Sequence, residues 1–310
     1  MRSSQALRRD ELASVGADLA HYWREGYAVV RGFCGAAEIA EIRTAADQLY
    51  REGVAHGRSF RHGNLFYNIA REREGSEALV RMVQWPSYHQ PVMNAVRLDR
   101  RFADLLEPLL GSDLKQIINQ VHWKAPGSLG DFAWHQDSRS RRPATAYRNL
   151  ATSYVQTGLA IDPHTPASGG MRFIPGSHLR GDLGMDCSKK ALGTAMSDRA
   201  LDDVGLSAED AIDLILEPGD LALWSPYLVH GSGTNRSGHK RRFYINGYVS
   251  AADCDRGEWA FRNGQPVHFG PKPALVHYEE LHERPGPHYV EDQAAACFAS
   301  SWRTCRLSRS

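Results

Sequence analysis

The chain is short of long apolar runs, of paired cysteines and of net charge, and each shortage removes a class of function. No stretch approaches the ~20 consecutive apolar residues that a bilayer-spanning helix needs. The opening segment, MRSSQALRRDELASVGADLAHYW, lacks the apolar centre of a secretory signal. Lys and Arg total 37 against 36 Asp and Glu, a net charge of +1, so no strong field is offered to nucleic acid or to an anionic membrane. The five cysteines (Cys34, Cys187, Cys254, Cys297 and Cys305) form no CxxC pair and are odd in number, which argues against a disulfide framework and against cysteine-ligated zinc. They read as free thiols of a reducing compartment. Internal repeats and low-complexity tracts are also missing. The expectation is a soluble, cytoplasmic protein that acts on a small molecule, without nucleic-acid or membrane partners; the oligomeric state is not legible, a homodimer being one option.

What is present is ordinary globular composition, 42% hydrophobic and 24% charged over 310 residues. Tyr27 to Val30 reads as a short strand. Ile39, Ile42, Ala46 and Leu49 recur at helical spacing, and Phe102, Leu105, Leu106 and Leu109 do so again before Gly111. From Lys115 onward, short apolar runs alternate with Gly, Pro, Ser and Asn clusters: QIINQVHW, TSYVQTGLAID, MRFI, LALW and RRFYINGYV. That texture predicts a β-sandwich or barrel, with a polar excursion over 180–215 and a largely irregular stretch over 265–290. With no linker to divide it, the chain reads as a single domain over 1–310. It has a mainly helical part (1–114) packed on one sheet, a β core (115–250) and a C-terminal extension (251–310) suited to a lid or a dimer contact.

Fourteen histidines direct the search for a metal site to imidazoles and carboxylates. His135 and Asp137, spaced i and i+2, share one face of a strand. His230 ends the strand-like run EPGDLALWSPYLVH and precedes Gly231-Ser232-Gly233. Two imidazoles and one carboxylate on one face of an octahedron leave three open positions, the arrangement of non-haem Fe(II) oxygenases, and those positions suit a bidentate oxoacid and dioxygen. Arg241 lies eleven residues beyond His230, across the turn GSGTNRSGHK, where its planar fork can clamp a carboxylate. Ser232 can add a hydroxyl. Arg241 shares strand parity with Phe243 and Ile245, which favours it over Arg242 as the inward side chain.

These segments, GYAVVRGF, WHQD, SGGMRFIPGSH, EPGDLALW and HGSGTNRSGHKR, occur in an order that resembles the phytanoyl-CoA dioxygenase family of Fe(II)/2-oxoglutarate oxygenases over roughly residues 22–250. The resemblance implies a double-stranded β-helix (jelly-roll) core with N-terminal helices on one sheet. It implies iron on His135, Asp137 and His230, the far carboxylate of 2-oxoglutarate on Arg241 and Ser232, and Gln120 at the cosubstrate site. The implied reaction uses dioxygen and converts 2-oxoglutarate to succinate and CO2 while oxidising a C–H bond of a small molecule. Hydroxylation is the leading outcome; desaturation, epoxidation and cyclisation are alternatives of the same chemistry. Asp137 fills the position that related halogenases leave to a small residue. Arg- and Ala-rich usage suggests a tailoring step in specialised metabolism. Two departures stand out: Gly158 where many members carry a bulky aromatic, which would open the pocket to substrate, and Ser168-Gly169 in place of the usual Asn-Gly.

Competing readings come from other classes. A jelly roll can bind metal or oxoacid without catalysis, and a cupin-like metal enzyme needs no oxoacid, although Arg241 and Ser232 argue against the latter. His277-Tyr278-Glu279 spells a second His-x-carboxylate but lacks the downstream partners. His178 and His122 read as turn or packing histidines. Arg139, Arg141, Arg142 and Arg148 follow the metal triplet closely and read either as a lid over an anionic substrate or, more commonly for such runs, as a solvated loop.

Overall fold

Two antiparallel sheets of unequal size carry the chain, and the site lies between them. The computed structural model describes residues 19–71, 76–127, 131–185, 196–272, 274, 276, 281 and 284–290. In chain order the strands are β1 (Tyr27–Val30), β2 (Phe60–His62), β3 (Leu65–Ala70), β4 (Leu79–Gln84), β5 (Leu114–Lys124), β6 (Phe132–His135), β7 (Tyr154–Ala160) and β8 (Met171–Phe173). They continue as β9 (Ile212–Asp213), β10 (Leu221–Trp224), β11 (His230–Ser232), β12 (Arg241–Ser250), β13 (Glu258–Arg262), β14 (Gln265–Pro266) and β15 (His288–Tyr289). The large sheet runs β1-β10-β7-β12-β5-β4-β3-β2-β15, with β13 also on β5; the small sheet runs β6-β11-β8-β9.

Alternation along the long strands gives each side of the large sheet its own core. Phe243, Ala160, Ala222 and Trp224 face the small sheet and pack with Met171, Phe173, Leu216 and Leu228. Their sequence neighbours Tyr244, Leu159, Leu221 and Leu223 face the other way, onto the helices. The main helix, α1 (Ala36–His56), turns Ile39, Ile42, Ala46 and Leu49 into that outer layer. Its start is fixed by Glu38, which accepts the Gly35 amide at 2.7 Å, and it ends at Gly57 in a left-handed conformation. Two further helices follow, α2 (Pro91–Arg97) and α3 (Arg100–Leu110); Asp99 caps α3 by accepting from the Arg101 amide at 2.8 Å.

The fold is therefore mainly β with α, a double-stranded β-helix with helices on the large sheet. The N-terminal third holds the expected helices and also β1 to β4, which widen the large sheet. Their short, interrupted runs gave too little alternation to read as strands, β1 excepted. Likewise the extension past residue 250 adds β13 beside β5 and β15 beside β2. No helix among the described residues is long and apolar enough to cross a membrane. Cys34 and Cys254 are buried free thiols. The triplet His277-Tyr278-Glu279 lies outside the described residues, as do Cys187, Cys297 and Cys305.

Candidate active site

Hydrogen bonding between the small-sheet strands brings the three candidate ligands together. His230 of β11 lies opposite His135 of β6, and their ring centroids are 4.1 Å apart. Asp137 begins the short turn that follows β6 and returns its carboxylate to both rings: Oδ1 is 3.8 Å from His135 Nε2 and Oδ2 is 3.8 Å from His230 Nε2. One donor atom from each residue lies within 4.8 Å of the others. Both histidines are oriented through Nδ1, which donates to the carbonyl of Ala133 at 2.8 Å for His135 and of Leu228 at 2.9 Å for His230. That fixes the tautomer and leaves both Nε2 lone pairs facing Asp137. Burial, with His230 alongside, pulls His135 down to about 4, so it is neutral near pH 7. Burial pushes the Asp137 carboxyl up, but His230, Arg141, His135 and a bond from Trp224 Nε1 at 3.0 Å outweigh it and hold the group below its ordinary value. Two imidazoles, each turned to offer Nε2, and a carboxylate fit a divalent iron.

A second polar cluster lies where β5, β12 and the small sheet meet. Arg241 is 4% exposed. Its Nη1 stands 3.0 Å from His164 Nδ1, and its Nε is buried without a partner. His164 Nε2 already accepts the Met171 amide at 2.7 Å, so the neutral ring carries its proton on Nδ1 and offers the guanidinium no acceptor. Arg242 points outward and is matched by Asp162 and Asp47. Lys124, directly opposite Arg241 on β5, is also buried; its amine donates to Ser232 Oγ at 2.7 Å and to the Gly233 carbonyl at 2.6 Å. Burial and the Arg241 charge pull that amine down to about 6. Two buried basic side chains, the arginine short of acceptors and the lysine able to take up a proton beside an anion, fit the far carboxylate of an oxoacid. Gln120 sits four residues before Lys124 on β5 and shares a 3.0 Å hydrogen bond with His122.

With the fold and these two clusters described, the comparisons decide the family. The family model for phytanoyl-CoA dioxygenase (PhyH) matches residues 22–243. The chain belongs to the phytanoyl-CoA dioxygenase family. It is accordingly a 2-oxoglutarate-dependent non-haem iron dioxygenase, with Fe(II), 2-oxoglutarate and dioxygen as its metal and cosubstrates. Among curated relatives it is 24% identical over 214 residues to a dioxygenase of Epichloe uncinata, covering 68% of this chain and 72% of that one. It is 25% identical over 239 residues to a probable alpha-ketoglutarate-dependent hypophosphite dioxygenase of Stutzerimonas stutzeri, covering 74% and 77%. The non-haem alpha-ketoglutarate-dependent epimerase SnoN of nogalamycin biosynthesis shares the fold at a TM-score of 0.58 and 22% identity, over 85% of this chain and 99% of SnoN.

Several residues of this PhyH-family site escaped sequence reasoning. Lys124 shares strand parity with His122 and Gln120, a signal that was available but overshadowed by the Arg241 motif. His122, expected to be structural, stands on the inner face, where burial together with Arg241 and Lys124 pulls it down to about 3. The space expected beside Gly158 is filled: a Cβ there would lie 2.2 Å from Cζ of Phe243. Phe243, from the neighbouring strand, occupies that space. The arginine run does not behave as one loop. Arg139 pairs with Asp182 at 3.1 Å and Arg148 with Asp255 at 3.0 Å, whereas Arg141 is buried beside the ligand cluster. His178 packs under Gly26 and bonds the Trp23 carbonyl, away from the site.

Proposed function

We propose that this dioxygenase oxidises an unactivated C–H bond of a small molecule, with hydroxylation as the outcome, in a tailoring step of specialised metabolism carried out by one domain spanning 1–310. In this reading His135, Asp137 and His230 hold the ferrous ion, Arg241 and Ser232 hold the far carboxylate of 2-oxoglutarate, Lys124 adds a second positive group there, and Gln120 lines the cosubstrate side. When bound, the iron, oxoacid and dioxygen supply the oxidising equivalent, with succinate and CO2 as coproducts. The chain's own part is orientation and exclusion of water. Backbone carbonyls fix both imidazoles, the Trp224 indole N–H steadies Asp137, and the inter-sheet layer of Phe173, Trp224 and Phe243 walls the centre. The convergence of three ligand atoms from β6, the turn after it and β11 carries the reading.

The test is an anaerobic titration with Fe(II) and 2-oxoglutarate, followed through the visible charge-transfer band of the chelate, and then admission of air with succinate assayed. A band followed by substrate-stimulated succinate formation supports an oxygenase; a band without succinate under any candidate substrate would mean a binding module. Asp137→Ala should lose both signals, and full turnover by that variant would sink the ligand assignment.

A further inference from the structure

Arg141 is a second buried arginine at the site, and beyond its charge on Asp137 the oxygenase reading gives it no task. It closes the short turn that starts at Asp137, tied by its amide to the Ser138 carbonyl at 3.1 Å, and is 4% exposed. Its guanidinium lies over the Tyr154 ring at 4.8 Å. One nitrogen, Nη2, donates to Gln156 Oε1 at 3.3 Å, but that oxygen already accepts the Tyr154 hydroxyl, and Nε is buried with no partner. The Tyr154 side chain is a further hydrogen-bond partner, but a guanidinium has five donor hydrogens, and burying it with two neutral acceptors leaves donors unmet, which is costly. Asp137 is the carboxylate that feels its charge, and Asp137 is committed to the ligand cluster. No carboxylate forms an ion pair with Arg141 among the described residues, in contrast to Arg139 and Arg148.

Its place in the fold separates it from the cosubstrate grip. Gln156 lies opposite Trp224 on one side and Gly247 on the other. Gly247 is six residues along β12 from Arg241, so the backbone beside the Gln156 partner of Arg141 lies about 20 Å along the strand from that of Arg241, and the two guanidiniums have different partners, Gln156 for one and His164 for the other. Glycine is required at 247 to leave this corner open to polar side chains, because a Cβ would lie 1.9 Å from the Tyr154 hydroxyl oxygen and 2.8 Å from Gln156 Oε1. Tyr147, Ile118 and Ile245 form the adjoining apolar wall.

We propose that Arg141 binds the oxyanion of the substrate: the molecule to be oxidised is a small organic acid, a carboxylate or phosphonate, held by its charged end on Arg141 with its carbon skeleton along Tyr147, Ile118 and Ile245. Calling the anion a substrate rests on the oxygenase reading; the anion site itself is tested without turnover. The probes are hexanoate, hexylphosphonate and neutral hexanamide, titrated calorimetrically into anaerobic protein loaded with Fe(II) and 2-oxoglutarate, so that Arg241 is already engaged. Wild type should bind at least one anion tenfold or more tighter than the amide, and the ratio of the two anions assigns the headgroup. Arg141→Gln should abolish the preference and Arg141→Lys should retain part of it. The proposal is overturned if the amide binds as well as both acids, if neither acid binds, or if Arg141→Gln keeps the preference. Where Arg141→Gln loses the chelate band through the turn it shares with Asp137, Arg141→Lys decides: a preference cut at least threefold supports the site, and an unchanged one overturns it. A wild type with no chelate band would strike the oxygenase reading alone, and the same comparison on metal-free protein in an Arg241→Gln background would still judge the anion site.

Discussion

Gly158 offers a quantitative test of how tightly the two sheets are packed over the site. Its backbone lies between Ala222 and Ile245, and a methyl group there would stand 2.2 and 2.4 Å from two ring carbons of Phe243 and 3.1 Å from Trp224. Carbon atoms rest about 3.5–4 Å apart, so the Phe243 ring would have to withdraw by more than an ångström. It has little freedom to do so: it is 1% exposed, stacks on Trp224 with centroids 6.4 Å apart, and meets His164 at 4.6 Å. Overpacking of this kind costs about 1–3 kcal/mol. With an unfolding entropy near 2.1 cal/mol/K per residue over the whole chain, Gly158→Ala should lower Tm by about 1.5–5 °C. The displaced ring presses on His164, which stands against Arg241, so KM for 2-oxoglutarate should rise more than kcat falls. Adding Phe243→Leu should restore at least half of the lost stability, a coupling of about 1 kcal/mol measured by a double-mutant cycle in thermal melts. A Gly158→Ala protein melting within about 1 °C of wild type, or strictly additive mutations, would refute the reasoning.

Three further outcomes follow from the site. Trp224→Phe removes the indole bond to Asp137 Oδ2 while keeping a ring against Phe243, and should weaken Fe(II) affinity by about 10–100-fold in competition with a chelator. Arg241→Gln should raise KM for 2-oxoglutarate by about 10–100-fold, the worth of a charge-assisted hydrogen bond, while Arg242→Gln, whose charge is matched outside by Asp162, should leave KM within about twofold. The buried Lys124 amine titrates near 6 in the folded chain, below its ordinary 10.5. Between those values the unfolded state holds more protons, so this residue's contribution makes stability rise with pH across that window. Binding a dianion beside Lys124 should restore its proton. At pH 7.5 the calorimetric enthalpy of 2-oxoglutarate binding should therefore depend on the buffer's ionisation enthalpy, and Lys124→Met should remove that dependence.

Local chemistry set much of this protein before any folding is considered. The i, i+2 pair His135 and Asp137, the later His230, and the parity that turns Arg241 inward with Phe243 are all properties of neighbouring residues, and strand and helix periodicity is too. That is why a β-sandwich or barrel core, α1 and α3 could be read directly, whereas the jelly-roll form of that core came from the family resemblance. What lay beyond reach depended on which strands become neighbours. Lys124 matters because β5 pairs with β12 and sets it against Arg241. Gly158 is closed because Phe243 arrives from the next strand. Arg141 differs from Arg139 and Arg148 because the fold buries it and, among the described residues, pairs it with no carboxylate. A residue's type and spacing state what it can do, but desolvation and the presence or absence of a partner are long-range facts, and only the assembled sheets decide them.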